Sequence, residues 1–249
     1  MSFPPPTCPV TCKTQIDNKY NEFKTILNAC IGDVKKTGSP NTTCTCKQEC
    51  TSGTVYHRYR VINLVGQGSF YTFVVYHEIY KKYKSLNEES GVLGFPKTDE
   101  RSTVKSIYGT VGRYNHFEKG TIYWSRYIGT HAIYGVAFNE YEKQNYEHGA
   151  LGFLISDETP IDNTCSYWDF EGGRIYVRSG NAYTVYRAIL SKYLEVKDAQ
   201  GFGYPRTSTI KATDGSLYND FECSKIHKCG ICRITVKPTY NVQHQDMIF

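Results

Sequence analysis

The chain has 249 residues, enough to bury a substantial core, and a net charge of +5 that is spread along its length. Its basic residues form no long run, and its apolar stretches are shorter than a membrane span, so we expect no nucleic-acid partner and no membrane span. The 22 tyrosines against 2 methionines are typical of β-rich proteins that present polar-tipped rings at their surfaces.

Residues 1–53 form a cysteine-rich N-terminal segment. Apolar residues at helical spacing, from Ile16 to Cys30, predict one helix over residues 15–31. The turn-rich stretch that follows predicts a loop held by disulfides. The first ten residues, MSFPPPTCPV, lack the basic and apolar regions of a signal peptide. Either Met1 was added to a mature secreted chain, which we favour, or export uses another route.

The cysteine content indicates an oxidising compartment. An even count of ten predicts up to five disulfides, although the spacing does not define their pairing. Only Cys229 and Cys232 have the C-x2-C spacing of a zinc knuckle, so we favour disulfides over a zinc site or free thiols and expect no bound metal. A sequon makes Asn41 a candidate glycosylation site. The disulfide candidates are Cys8, Cys12, Cys30, Cys44, Cys46, Cys50, Cys165, Cys223, Cys229 and Cys232.

A repeat of about 51–58 residues begins at residue 54. Three tyrosines at equivalent places are each followed seven residues later by a second tyrosine, and ten or eleven residues after that by a glycine. These triplets are Tyr76, Tyr83 and Gly94; Tyr134, Tyr141 and Gly152; and Tyr186, Tyr193 and Gly203. The repeats span about 54–108, 109–162, 163–214 and, as a partial copy, 215–237, with a C-terminal tail at 238–249.

Each unit is predicted to be a β-hairpin followed by a short helix. Hairpins are expected at about 56–76, 117–134, 170–186 and 221–237, with Gly91, Gly149 and Gly201 as left-handed helix C-caps. One such unit cannot bury its own apolar face, so neighbouring units must cover it. The predicted fold class is α+β and β-rich, a closed pseudo-symmetric ring of about four repeats, held together by disulfides. The N-terminal helix would dock beside the last hairpin and close the ring.

Three stretches carry a family resemblance: GVLGFPKTDE at 91–100, GALGFLISDE at 149–158 and QGFGYPRTST at 200–209. With their hairpins they resemble the LGFP repeat family, although the second copy has Leu154 in place of proline. The resemblance implies a ring like a small propeller, an extracellular role and attachment to envelope polysaccharide. The motif residues, which we interpret as structural, are Leu93, Gly94, Phe95, Pro96, Leu151, Gly152, Phe153, Phe202, Gly203, Tyr204 and Pro205.

The sequence contains no recognisable catalytic arrangement. The stretch GQGSF at 66–70 lacks the last glycine of a nucleophile elbow, and HEIYK at 77–81 lacks the second histidine of a zincin motif. Glu118, Glu171 and Glu222 follow equivalent phenylalanines. Because a glycosidase needs two carboxylates in different environments, acids that recur once per repeat indicate a structural or capping role. We expect no enzyme activity and no cofactor.

Aromatic residues beside polar ones are the best candidates for ligand contact, because sugar rings stack on aromatic planes. Alternate residues of a strand face opposite ways, so Tyr123 and Trp124 cannot both reach one ligand. Each ring also has a structural interpretation, as core or as ordinary surface. The candidate ligand-binding residues are Tyr123, Trp124, Arg126, Tyr127, Trp168, Tyr176 and Arg178.

The sequence therefore predicts a non-enzymatic, extracellular or surface-associated repeat module that binds carbohydrate of a cell wall, coat or matrix. A structural or adhesive protein with a protein partner, or one that self-associates, is the alternative. A glycoside hydrolase built from the repeated acids is a third interpretation. The sequence leaves the glycan and the oligomeric state open.

Overall fold

The computed structural model describes residues 12–31, 34–37, 43–61, 68–200, 202–223 and 231–237. Within these ranges the chain is α+β and strand-rich, with four helices and four antiparallel sheets. It divides into two compact units, one of residues 1–101 and 113–124 and the other of residues 102–112 and 125–249. None of the helices in the described ranges is both long and apolar enough to cross a membrane.

The first unit contains a sheet whose strands follow chain order: β1 (Lys35–Thr37), β2 (Thr43–Cys50), β3 (Gly53–Val61) and β4 (Gly68–Tyr76). Strands β3 and β4 form the first predicted hairpin, with Gly53 opposite Tyr76. Strand β2 lies where the sequence predicted a loop. It pairs with β3 from Thr43 to Cys50, and this cross-strand pairing outweighs its turn-forming composition.

Helix α1 (Cys12–Leu27) packs on this sheet and lies about three residues earlier than the predicted 15–31. Its buried residues Ile16 and Leu27 join Val55 and Val74 in one apolar cluster. A helix with a single apolar face is stabilised mainly by such packing rather than by its own propensity. Docking of this helix beside the last hairpin stays a prediction.

Two disulfides connect the N-terminal elements, Cys12 with Cys46 and Cys30 with Cys50. Cys232 is also disulfide-bonded. Cys165, one of the predicted disulfide candidates, is instead a free thiol buried in the apolar cluster that contains Tyr176. Cys8, Cys229 and Asn41 lie outside the described residues, and Cys44 and Cys223 are described by their backbone alone.

The remaining elements repeat the order of hairpin, helix and short strand. Strand β11 pairs with β12 and β15 pairs with β16, which confirms the third and fourth predicted hairpins. In addition, β6 pairs with β7 and β10 pairs with β11. A helix follows directly on β4, β8 and β12, as predicted. The bounds are β5 (Arg101–Ser102), β6 (Arg113–His116), β7 (Gly120–Ser125), β8 (Gly129–Tyr134), β9 (Thr159–Pro160), β10 (Cys165–Phe170), β11 (Gly173–Arg178), β12 (Asn181–Tyr186), β13 (Phe202–Pro205), β14 (Ile210–Lys211), β15 (Leu217–Cys223) and β16 (Cys232–Val236), with α2 (His77–Ser85), α3 (Gly135–Lys143) and α4 (Arg187–Gln200).

Gly91 and Gly149 cap the short 3-10 helices that follow α2 and α3, but the predicted left-handed conformation of these glycines is wrong. Their φ angles are −91° and −82°, and the left-handed residues are Asn87 and Asn145, which follow α2 and α3. Glycine is required for a different reason: a Cβ on Gly91 would lie 1.6 Å from a backbone carbonyl oxygen, and one on Gly149 would lie 1.7 Å from its equivalent. Gly201 lies outside the described residues.

The LGFP motif joins each helix to the hairpin that follows. The helix tyrosine donates its hydroxyl to the carbonyl of the motif glycine, from Tyr83 to Gly94 at 2.7 Å and from Tyr141 to Gly152 at 2.8 Å. Tyr193 makes the same bond to Gly203, at 3.1 Å. The fourth motif residue pairs with the phenylalanine of the next hairpin in all three copies: Pro96 with Phe117, Leu154 with Phe170, and Pro205 with Phe221.

Candidate functional site

A groove of about 350 Å³ lies in the first unit, where the β3–β4 hairpin meets the first LGFP motif. Both strands contribute side chains from one face, since Arg58 on β3 pairs directly with Tyr71 on β4 and Phe73 lies two residues further along. The lining residues are Arg58, Tyr71, Phe73, Phe95, Pro96, Lys97 and Glu118.

An aromatic pair forms one wall of the groove. The rings of Tyr71 and Phe73 are stacked, with their centroids 6.3 Å apart and an interplanar angle of 20°. Tyr71 is 43% exposed, so part of its ring is accessible to solvent. An exposed ring beside polar groups offers an apolar surface to a ligand that carries both apolar faces and hydroxyls.

An ion pair between Arg58 and Glu118 forms another part of the lining, and Arg58 lies directly across the hairpin from Tyr71. The Arg58 guanidinium donates to one carboxylate oxygen of Glu118 and lies over the Phe95 ring, 5.4 Å from its centroid. The other oxygen of Glu118 accepts the Phe95 backbone N–H at 3.1 Å. The Arg58 Nε is buried and has no hydrogen-bond partner among the described residues. Both side chains remain partly exposed, at 23% and 35%.

Glu118 is ionised at neutral pH. Burial alone would raise its pKa, but the hydrogen bonds from Phe95 and Arg58 outweigh burial and hold the pKa below its ordinary value. A carboxylate with a lowered pKa accepts hydrogen bonds and does not donate a proton at neutral pH. The groove is therefore equipped for binding through a hydrogen-bond acceptor, a guanidinium donor and an aromatic wall.

Three of the ring residues predicted as ligand contacts are core residues. Tyr123, Trp168 and Tyr176 are 2% exposed or less. The indole nitrogen of Trp168 donates to the Ala132 carbonyl at 2.9 Å, and Tyr176 accepts a hydrogen bond from Arg174. Strand alternation turns these rings inward, and single-sequence reasoning could not assign the buried face. They present no ring face to solvent.

The other four candidates are accessible but do not line the groove. Trp124 is half-buried, and Arg126 and Tyr127 are exposed, with Tyr127 90% exposed. Arg178 is 32% exposed and pairs with Glu222. The sequence interpretation missed Arg58, Tyr71, Phe73 and Lys97 as site residues. A usable signal was present, because Tyr71 and Phe73 alternate along a predicted strand and share one face.

Glu118 and Glu171 each form a hydrogen bond with the repeat motif, which agrees with the predicted structural or capping role. Each accepts the backbone N–H of the motif phenylalanine, at 3.1 Å for Glu118 and at 2.7 Å for Glu171. Within the described ranges no group of three or more histidine, cysteine, aspartate or glutamate side chains is placed to hold a metal ion.

The comparisons with known proteins agree with the repeat geometry. The family model described as LGFP repeat matches residues 93–149 and 151–201. Each match begins at the leucine of a motif and extends through the next hairpin and helix. No curated protein matches the chain in sequence. The family model therefore matches this chain twice in tandem, over residues 93–149 and 151–201.

Proposed function

We propose that the chain is a non-enzymatic, extracellular module that binds carbohydrate of a cell wall, coat or matrix in the groove around Arg58 and Glu118. The observation that supports this most directly is the exposed Tyr71–Phe73 wall beside a guanidinium and a carboxylate. Pyranose rings stack on such walls, and charged groups form hydrogen bonds with their hydroxyls.

Two further observations support an extracellular location. LGFP repeats are typical of secreted or cell-surface proteins. The Cys12–Cys46 and Cys30–Cys50 disulfides persist in oxidising compartments and are rare in reducing ones.

The composition of the groove supports binding rather than hydrolysis. A glycosidase uses two carboxyl groups, one of which is protonated at working pH. Glu118 is the one carboxylate in the described lining, and its pKa is lowered.

The closure of the repeats into a ring is part of the same proposal. Small-angle scattering of the whole chain would test this closure.

The proposal is tested by capture of the oxidised protein on insoluble chitin, cellulose, mannan and peptidoglycan. We expect saturable binding to at least one of them, and we expect Tyr71→Ala to weaken it at least about tenfold while the near-UV spectrum of the folded protein persists. A reduced and alkylated sample should not bind.

Tyr127→Ala is the comparison variant, because Tyr127 is an exposed ring outside the groove. Loss of capture in Tyr127→Ala but not in Tyr71→Ala would move the site to the turn after β7. Absence of capture on all four polysaccharides would reject the proposal.

A protein partner is the second candidate function. It is favoured by four exposed apolar residues in one loop of the second unit, Val104, Ile107, Tyr108 and Val111. Such a cluster is typical of contact surfaces. Concentration-dependent association of the protein without sugar, measured by analytical ultracentrifugation and abolished by Ile107→Ser with Val111→Ser, would favour this candidate over the first.

A further inference from the structure

The ion pair of the groove recurs in the second unit at the equivalent place of another repeat. Gly53 pairs with Tyr76 and Gly173 pairs with Tyr186, and the residue five places after each glycine is an arginine, Arg58 or Arg178. Arg178 pairs with Glu222, just as Arg58 pairs with Glu118.

The surroundings of the two arginines also correspond. The Arg178 guanidinium lies over the ring of the third motif residue, 4.6 Å from the Tyr204 centroid, where Arg58 lies over Phe95. Arg178 pairs across the hairpin with Asn181, which takes the place of Tyr71, and Tyr183 takes the place of Phe73. Arg178 and Glu222 are 32% and 42% exposed, so both heads are accessible. The Arg178 site keeps the ion pair and the ring, and has Asn181 in place of an aromatic residue.

The middle repeat lacks this cleft because the chain fills it. Ser125 stands five residues after Gly120, where the other repeats have arginine, and it is buried. Residues 103–112 form a tight loop, and Tyr108 of this loop donates its hydroxyl to the Ala150 carbonyl at 3.0 Å. The Tyr108 ring packs so closely on the motif that a Cβ on Gly152 would lie 2.5 Å from it.

This loop shows how a hydroxyl-bearing group can use the repeated carboxylate. Ser106 donates its hydroxyl to one oxygen of Glu171 at 2.8 Å, and Thr110 donates to the other. Glu171 also accepts the Phe153 N–H, so it receives three hydrogen bonds. An ionised carboxylate has about four acceptor positions, and among the described residues Glu118 uses two of them, for Arg58 and Phe95. Glu118 therefore retains acceptor capacity for ligand hydroxyls.

We propose that the chain has two ligand-binding clefts, one at Arg58, Phe95 and Glu118 and the other at Arg178, Tyr204 and Glu222. Residues 103–112 act as an internal substitute for ligand in the middle repeat. Hydroxyl groups of the ligand donate to Glu118 and Glu222 as Ser106 and Thr110 donate to Glu171, while the arginine donates to ligand oxygens. The ligand class, a polyhydroxylated sugar, rests on the proposed function. The number and identity of the clefts are independent of the proposed function, because they follow from the repeat geometry.

The test is isothermal titration calorimetry of the whole oxidised chain with chitohexaose, cellohexaose, mannohexaose and muramyl dipeptide. For a probe that binds, we expect two molecules per chain. Glu118→Gln and Glu222→Gln should each reduce the stoichiometry to one, and the double variant should abolish binding. In Glu118→Gln the amide oxygen can still accept the Phe95 N–H, and in both variants the charge that holds the arginine is removed. Arg58→Gln, which leaves the bond from the Phe95 N–H to Glu118 in place, and Arg178→Gln should give the same pattern.

Glu171→Gln is the matched control, because its hydroxyl partners come from the chain itself and the stoichiometry should remain two. One probe per chain, lost in Glu118→Gln and unchanged in Glu222→Gln, would overturn the second cleft and leave carbohydrate binding intact. No heat with any probe would reject carbohydrate as the ligand class. Binding of a synthetic peptide of residues 103–112 at two sites would then keep the two clefts and assign them to a hydroxyl-bearing peptide segment.

Discussion

Single hydrogen bonds explain why particular residues recur in this chain. Tyr83 and Tyr141, the seventh residues of α2 and α3, each donate a hydrogen bond to a backbone carbonyl. Phenylalanine at these positions would pack equally well but would leave that carbonyl without its partner. The motif acids Asp99 and Asp157 act similarly, accepting the backbone N–H groups of Val74 and Ala132 at 2.9 Å and 3.0 Å. In the third copy, Ser208 accepts the N–H of Thr184 at 3.0 Å.

Alanine substitutions at two glycines distinguish the cost of backbone strain from the cost of a steric clash with the 103–112 loop. Gly135 and Gly152 have similar positive φ angles, 62° and 66°. A Cβ on Gly135 meets nothing within 4 Å, whereas one on Gly152 collides with Tyr108 and Glu171. We expect Gly135→Ala to lower the free energy of unfolding by about 1 kcal/mol, and Gly152→Ala to lower it by roughly 2–4 kcal/mol.

Urea denaturation of the two variants measures this difference. Gly152→Ala should also displace the 103–112 loop, which trypsin would report as faster cleavage at Lys105. Equal losses of stability in the two variants would show that the Tyr108 ring moves away without a loss of unfolding free energy. That result would contradict tight packing of this loop on the motif.

Pairing between strands decides the structure of the cysteine-rich segment. The sequence from 43 to 50 contains three cysteines among polar residues, which is typical of a loop held by disulfides. It nevertheless forms β2, because β3 offers a complementary edge. Helix α1 then covers the sheet through Ile16 and Leu27, and the Cys12–Cys46 disulfide holds its first residue to β2.

Removal of the Cys12–Cys46 disulfide should destabilise the first unit. The bond closes a separation of 34 residues, so the double variant Cys12→Ser with Cys46→Ser should lose about 2–4 kcal/mol of unfolding free energy. Urea denaturation of the oxidised variant, followed by far-UV circular dichroism, provides the measurement. An unchanged midpoint would contradict the role of the disulfide in holding α1 on the sheet.

The chain divides into two compact units. The reactivity of the free thiol of Cys165 measures local opening of the second unit. Cys165 is 3% exposed. Burial, together with the nearby Asp162 carboxylate, raises its pKa to about 11. Since the thiolate is the reactive form and a free cysteine has a pKa of about 8.5, both access and ionisation slow its reaction in the folded state.

Iodoacetamide at pH 8 should therefore label Cys165 at least about a hundredfold more slowly in the native protein than in 6 M guanidinium, since the pKa difference and burial act together. Mass spectrometry of the peptide that contains Cys165 gives both rates. Rapid native labelling would show that the second unit opens locally around β10. Reductant must be omitted, so that the disulfides remain intact.

The sequence by itself determined the repeat, the order of hairpin and helix within it, and the structural role of the LGFP motif. These features depend on spacing along the chain, such as Tyr83 and Gly94, and on local periodicity, which short segments carry. Only the tertiary structure decided which rings face the core, and that the Arg58–Glu118 groove exists. Arg58 and Glu118 are 60 residues apart, and both Tyr123 and Trp124 fit an alternating strand equally well until packing buries one face. The closure of the middle cleft by Tyr108 has the same origin, because a loop contact across 42 residues has no periodic signature in the chain.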